Sequence, residues 1–294
     1  MTGGTGFIGS RLVEKLVNQN HHVYVITRFP KQHKDTEFAT YISSNYPVNR
    51  LPVIHAVVNL AGESLFGYWS EKKKEAIISS RIHTTEKLIH MMIQMEKKPN
   101  VFLSGSAIGY YGITTDMIFT EKTNEASDDF LAIVASTWEK AAQHAEDFGT
   151  RTVYLRFGVV LDQKEGALPL MALPVKLFVG GKVGQGTQWV SWIHIEDCVE
   201  LIYFILQEEK IKGPVNITAP TPQRNIDFTK KLGDVLYRPT FINTPSPILK
   251  LALGEMHQLI TEGQYVLPQK ALDHNFTFQY PYLEDALKDI YVIK

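Results

Sequence analysis

Apolar residues recur every fourth position just past the first glycines of the chain. Ile8, Leu12 and Leu16 fall at i, i+4 and i+8, with Val13 and Val17 beside them, which predicts a helix with one buried stripe. The period then shortens. "HHVYVIT" (His21 to Thr27) is β-branched and aromatic and predicts a strand. "HAVVNLAG" (His55 to Gly62) is a continuous apolar run closed by glycine, as in a strand buried on both faces. "NVFLSGSA" and "TRTVYLRFGVVL" repeat that pattern. Between these runs, "SSRIHTTEKLIHMMIQM" and "DDFLAIVASTWEKAAQHAEDFG" predict helices. The second places Asp128 and Asp129 in its first turn and Gly149 past its end, which suits the helix dipole and a C-terminal stop. Strands alternating with helices predict an α/β fold: a doubly wound parallel sheet covered on both faces.

The pattern changes after Gly166. "VGGKVGQGTQWVSW" is rich in glycine and aromatics and predicts a loop or hairpin, and "APTPQRN" (Ala219 to Asn225) is a plausible boundary. The organisation read from this is a main domain over 1–222, with substrate-side insertions around 163–190, and a smaller C-terminal α+β lobe over 223–294. The lobe is expected to lie over the carboxyl ends of the strands.

Composition narrows the function. A net charge of −1 over 294 residues gives no reason to expect nucleic acid or an anionic membrane as partner. No run of about 18 apolar residues occurs, so no membrane span is expected. Cys198 is the single cysteine, which excludes an internal disulfide, and a cytoplasmic setting is the simplest expectation.

The candidate chemistry begins at "MTGGTGFIGS". Gly3, Gly6 and Gly9 form GxxGxxG ahead of the first helix. One glycine makes a tight turn, one lets backbone approach a pyrophosphate, and one lets the helix pack on the sheet. The pyrophosphate would rest on the helix N-terminus. A doubly wound sheet places a central strand before such a turn, yet only Met1 and Thr2 precede it here. The expectation is a truncated first strand, with a few residues missing upstream and Met1 internal. NAD sites carry Asp or Glu about 20 residues after the glycines to bind the ribose 2′-OH. Here Thr27 and Arg28 occupy that place, and an arginine suits the 2′-phosphate of NADP. The cofactor expected is NADP(H), with NAD as the alternative.

"TGGTGFIGS", "VVNLAGE" and "WIHIEDCV" resemble the short-chain dehydrogenase/reductase superfamily in its extended, nucleotide-sugar-epimerase-like branch. "NLAGESL", "SSRIHTTEKL", "SGSAIGYYG", "WEKAA", "RFGVVLDQKEGAL", "GTQWVSWIHIEDCV" and "EGQYVLPQKAL" are similar to one atypical subgroup, the epimerase family proteins, which have their own C-terminal domain. The resemblance implies a Rossmann domain, an NAD(P) cofactor and a cleft roofed by the C-terminal lobe. It further implies that Gly3, Gly6, Phe7 and Ile8 line the pyrophosphate and that Thr27 and Arg28 lie at the adenosine ribose. Leu60, Ala61 and Gly62 would pass along the adenine and ribose side, Arg81 would reach the cofactor from its helix, and Val160 would lie near the nicotinamide half.

The superfamily's working parts are a Ser or Thr and a Tyr four residues before a Lys; lysine and ribose lower the tyrosine's pKa for proton transfer. If Glu139 is the Glu that ordinarily follows that Lys, the Lys position holds Ala135 and the Tyr position Leu131, and no tyrosine occurs between Gly112 and Val153. The remaining catalytic candidates are Ser106, Tyr110 and Tyr111. Ser106 fits the serine slot if Tyr110 takes the tyrosine's place; if Tyr111 does, the slot is Ala107; Ser104 is a further candidate. Glu63 and His194 are titratable groups expected near the cleft, His194 more as a core residue. Trp189, Trp192 and Gly180, Gly181, Gly184 and Gly186 are expected at the substrate mouth. No metal-ligand spacing and no GxSxG elbow is present. Two functions follow: an NADP(H)-dependent oxidoreductase or epimerase-like enzyme acting on an unknown small carbonyl or sugar, or an NADP(H)-binding sensor or scaffold without turnover. The oligomeric state, a homodimer included, is left open.

Overall fold

The apolar runs form the strands of a parallel sheet, and helices carrying apolar stripes cover its two faces. A computed structural model describes residues 1–123 and 125–292. In its first half run α1 (Phe7–Asn18), β1 (Val23–Ile26), β2 (Ala39–Ile42), β3 (Ala56–Asn59), α2 (Glu71–Gln94), β4 (Val101–Ala107), β5 (Ile118–Phe119) and α3 (Phe130–Gln143). Then come β6 (Arg151–Phe157), β7 (Val159–Leu161), α4 (Leu168–Lys176), β8 (Trp189–Val190), β9 (Trp192–His194), α5 (Ile195–Gln207) and β10 (Gly213–Ile217). The remainder holds β11 (Gln223–Arg224), α6 (Asn225–Leu236), α7 (Ser246–Leu253), α8 (Gln258–Thr261), β12 (Tyr265–Val266), α9 (Gln269–Asp273) and α10 (Leu283–Tyr291).

β3, β4, β6 and β10 pair in parallel, as do β1 and β2. Thr2 joins the two groups by parallel bridges to Ile26 and Asn59. The order is therefore β2-β1-Thr2-β3-β4-β6-β10, a doubly wound parallel sheet whose central position is held by a single bridging residue. Its hydrogen bonds run both ways: Ile26 N–H donates to Met1 O (2.7 Å), Thr2 N–H to Val58 O (2.9 Å) and Leu60 N–H to Thr2 O (3.2 Å). Leu12, Leu103, Leu155 and Leu201 pack on one face of the sheet, and Phe102, Met92 and Ala142 on the other.

Three details differ from the sequence reading. "TRTVYLRFGVVL" is two strands, because the chain changes partner at Gly158. Gly158 N–H bonds Ile217 O, whereas Val159 N–H bonds Ser191 O. "VGGKVGQGTQWVSW" is not a hairpin: β8 pairs antiparallel with β11, and β9 pairs parallel with β7. Those partners lie far off in sequence, so local glycine content misleads. Asp129 is the N-cap of α3, accepting from Ala132 N–H at 3.0 Å, rather than a first-turn residue.

His194 closes β9 and caps α5. Its Nδ1 accepts from Glu196 N–H at 3.2 Å, which leaves the proton on Nε2, 3.4 Å from Asp289 Oδ2. The residue is 2 % exposed, and burial pushes its pKa down to about 4 against the pull of Asp289 and Asp162. The unfolded chain therefore binds a proton that the folded chain refuses between pH about 6.5 and about 4. This contribution to stability is complete above pH about 6.5 and is lost as pH falls, with a slope approaching 1.4 kcal/mol per unit. Urea unfolding across that window should show the slope, and His194→Gln should flatten it.

Candidate functional site

The glycine turn is built for close backbone approach. Gly3 has φ +69°, and a β-carbon there would meet the Leu60 and Ala61 backbone at 2.6–2.8 Å. Gly6 N–H closes the turn onto Gly3 O at 3.0 Å. Gly9 lies flat on the turn: its β-carbon would stand 2.0 Å from Gly3 O. Helix α1 then starts at Phe7 with no side-chain cap and no acid in its first turn among the described residues. Its first N–H groups lack helical partners and the dipole adds partial positive charge, so this end suits a phosphate. Phe7 and Ile8 are half-buried at its rim.

The next strand ends beside this turn. Thr27 N–H bonds Ile42 O, and Thr27 Oγ1 accepts from Phe29 N–H at 3.3 Å. Arg28 is exposed, its guanidinium 6.0 Å from the Phe29 ring. Glu63 lies near enough to feel it. A hydrogen bond from Lys73 at 2.7 Å is the main cause holding the Glu63 carboxyl below its ordinary range, and the charges of Arg28 and Arg81 add to it.

The exit of β3 is held from below by a buried chain of hydrogen bonds. Thr2 Oγ1 donates to Asn59 Oδ1 (2.6 Å), Asn59 Nδ2 to Thr85 Oγ1 (2.8 Å), and Trp138 Nε1 to Thr85 Oγ1 (3.1 Å). Arg81 lies over the Trp138 ring at 5.0 Å and donates Nη1 to Glu63 O (3.0 Å) and Ile77 O (2.9 Å). Burial draws its pKa down to about 10, so it stays charged at neutral pH. A β-carbon on Gly62 would be 3.0 Å from the Arg81 guanidinium carbon, so Arg81 supports the Leu60-Ala61-Gly62 turn from beneath. On the other side of α1, a β-carbon on Gly166 would lie 2.9 Å from the Phe7 ring and 3.1 Å from Val160 O. The fold thus gathers the glycine turn, Phe7, Leu60, Ala61, Gly62, Arg81 and the Val160 turn. The Val160 side chain itself is 7 % exposed and packs in the core.

The three candidate catalytic side chains are placed differently from one another. Ser106 Oγ donates to Glu139 Oε1 at 2.6 Å, and Glu139 grips Arg156 with two bonds of 2.8 Å. The Arg156 guanidinium lies 3.5 Å from the centre of the Tyr110 ring. Tyr111 is 5 % exposed and donates to Asn216 Oδ1 at 2.8 Å; burial pushes its pKa up to about 12. The hydroxyls of Ser106 and Tyr111 are therefore committed inside the protein, while Tyr110 is half-buried at the end of β4. Ser104 is fully buried on the same strand. Leu131 packs on Gly109, 3.1 Å from where its β-carbon would be, and Ala135 is 1 % exposed.

Trp189 stands at a cavity of about 360 Å³ with Thr115, Asp116, Ile118, Arg224 and Tyr265. Arg224 stacks on its ring at 3.7 Å and bonds Thr187 O. Trp192 lines no opening. It is fully buried and bonds Thr221 O at 3.0 Å, because strand alternation turns it to the side opposite Ile193. Gly180 and Gly181 serve packing, against Val175 and Ile242. No site residue was expected within segment 262–266, the start of "EGQYVLPQKAL", yet Gln264 Nε2 reaches Ile108 O at the end of β4 (2.6 Å). Only a contact between residues far apart in sequence reveals it. Among the described residues no cluster of three metal ligands occurs, and no helix is long and apolar enough to cross a membrane.

A doubly wound sheet with a glycine turn at an uncapped helix end defines a dinucleotide-fold protein of the short-chain dehydrogenase/reductase type. The chain belongs to the NAD dependent epimerase/dehydratase family, whose model matches residues 1–218. A second model, a domain of unknown function (DUF1731), matches residues 244–290. The epimerase family protein YfhF of Bacillus subtilis is 43 % identical over 293 residues, 99 % of this chain and 96 % of that protein. The crystal structure of human epimerase family protein SDR39U1 (isoform 2) with NADPH matches with a TM-score of 0.88 at 31 % identity, over 99 % of this chain and 97 % of that one. A nucleoside-diphosphate sugar epimerase from Corynebacterium glutamicum matches at 0.80 and 30 % identity, over the whole of this chain but 57 % of that one.

Proposed function

We propose that the protein is an NADP(H)-dependent oxidoreductase or epimerase-like enzyme acting on a small carbonyl or sugar compound without the superfamily's Tyr–Lys shuttle. The observation that carries the cofactor reading is the uncapped α1 end under Gly3, Gly6 and Gly9, with an exposed Arg28 rather than an acid at the end of β1. The residues fit the dinucleotide: α1's first N–H groups and Phe7 and Ile8 would hold the pyrophosphate, Thr27 and Arg28 the ribose phosphate, and Leu60, Ala61 and Gly62 the adenosine side. Arg81 would act by shaping the β3 exit. The bound nicotinamide would supply hydride chemistry. The relative solved with NADPH supports the same choice. Ser106 and Tyr111 hold the strand ends in place, and Tyr110 walls the cleft.

Equilibrium titration tests the cofactor. NADPH is expected to bind at least about tenfold tighter than NADH, and Arg28→Ala to weaken NADPH by roughly 10- to 100-fold, the worth of a hydrogen bond to a charged group, while leaving NADH unchanged. Tighter binding of NADH by the wild type would sink the reading. For turnover, NADPH oxidation is followed with a panel of carbonyl compounds and nucleotide sugars. The second reading, a binding protein without turnover, is favoured by the packed apolar side chains of Leu131 and Ala135, the shuttle's positions when Glu139 is taken as the Glu that follows its lysine. Tight binding without oxidation across the panel would select it.

A further inference from the structure

The dinucleotide does not use the cavity beside Trp189. Its volume of about 360 Å³ falls within the roughly 300–1,000 Å³ of small-molecule sites. Its walls come from β5, β8, β11 and β12 and from the residues just before β5. β5 and β12 pair with Tyr265 opposite Ile118 and Val266 opposite Phe119. Side chains alternate between the faces of a strand. Phe119 and Val266 therefore turn inward and share a cluster with Tyr111, whereas Ile118 and Tyr265 turn outward to the cavity. Met117 and Ile118 are 57 % and 61 % exposed there and give it an apolar floor. None of these walls belongs to the glycine turn or to the exits of β1 and β3.

Arg224 supplies the charge. Its guanidinium lies 3.7 Å from the centre of the Trp189 ring, and Tyr265 meets that ring edge-on with centroids 4.5 Å apart. Nη1 donates to Thr187 O and Nη2 to Thr115 O (3.3 Å), while Trp189 Nε1 fixes the same Thr115 O at 3.0 Å. These partners are neutral, and Arg224 forms no ion pair among the described residues. Arg224 is also the N-cap residue of α6, where the helix dipole opposes a cation, and Asp227 is the single acid of that first turn. The fold thus holds a half-buried guanidinium flat on an aromatic ring, without a counter-charge, at an electropositive helix end. Its planar fork matches a carboxylate or a phosphate. Asp116, exposed in the same lining, disfavours a second anionic group.

We propose that this cavity binds a small aromatic anion, with its carboxylate or phosphate on Arg224 and its ring against Met117, Ile118 and Tyr265. The site is separate from the dinucleotide's and stands independently of the NADP(H) reading.

Trp189 reports on the site directly, since it is half-buried whereas Trp69, Trp138 and Trp192 are buried. The test is a tryptophan-fluorescence titration of the full chain with phenyl phosphate, with benzoate and, as their neutral counterpart, with benzyl alcohol. A saturable change is expected with an anion and is expected to vanish in Trp189→Phe; the tighter anion identifies the headgroup. Benzyl alcohol should bind at least about tenfold more weakly, and Arg224→Gln should weaken the anion by roughly 10- to 100-fold. Asp116→Asn, a change at an exposed residue, should tighten the anion by roughly two- to fivefold, the worth of one exposed charge interaction. Arg28→Ala should leave every value unchanged. A response to neither anion, or benzyl alcohol binding as tightly as both, overturns the proposal. So does a loss of anion binding in Arg28→Ala, which would put the anion at the glycine turn. Anion affinity that neither Arg224→Gln nor Asp116→Asn moves overturns it as well, and Asp116→Asn decides alone should Arg224→Gln not fold.

Discussion

Gly9→Ala is expected to abolish dinucleotide binding and to lower stability by about 3 kcal/mol or more, above the usual cost of a single overpacked methyl. The added carbon would sit 2.0 Å from Gly3 O, 2.7 Å from Gly3 C and 2.9 Å from Gly4 Cα. All three are backbone atoms, so no side chain can swing aside. Either α1 lifts from the sheet, losing Leu12 from the core, or the turn opens and the phosphate seat is lost. Thermal melting and NADPH titration read the two outcomes separately. Ser10→Ala, one residue on and exposed, serves as the near-neutral control. Normal melting with retained NADPH binding in Gly9→Ala would contradict the geometry.

Glu139→Ala should be the most damaging polar truncation, at about 3–5 kcal/mol. Arg156 is 2 % exposed and is paired with Glu139, whose carboxylate also accepts a hydrogen bond from the Ser106 hydroxyl. Removing that carboxylate strands a buried cation. The Tyr110 ring, 3.5 Å from the guanidinium carbon, offsets only part of the loss. Urea unfolding measures the effect. The double change Glu139→Leu with Arg156→Met should recover much of it, since an apolar pair of similar volume can replace a buried ion pair. A double variant as unstable as the single one would show that shape rather than charge governs this part of the core.

Much of the main domain was legible because its signals are local. Apolar runs such as "AVVN" name buried strands, and the Gly3, Gly6 and Gly9 spacing names the turn. The lack of an acid within "VITRFPK", around Arg28, is likewise readable residue by residue. What stayed hidden depends on distant partners. The break at Gly158 exists because Ile217 and Ser191 compete for neighbouring amides. Trp192 reads as a cleft aromatic until the β7 pairing fixes which way β9 faces. Ser106 and Tyr111 read as free hydroxyls until Glu139 and Asn216 arrive from other elements.

The pairing of β12 with β5 bears on how the protein is made. Tyr265 and Val266 lie in register with Ile118 and Phe119, and Asp197 accepts the amides of Gln279 and Tyr280. A chain leaving the ribosome cannot form these contacts until well over two hundred residues have been synthesised. The early helices and strands can assemble in order, but Phe119, Val266 and Tyr111 share one apolar cluster that stays open until then. Long-range closure of this kind slows folding and leaves apolar surface exposed meanwhile. Nascent chains stalled before Tyr265 should therefore engage chaperones, and release of the last segment should act as the step that commits the molecule to its native form.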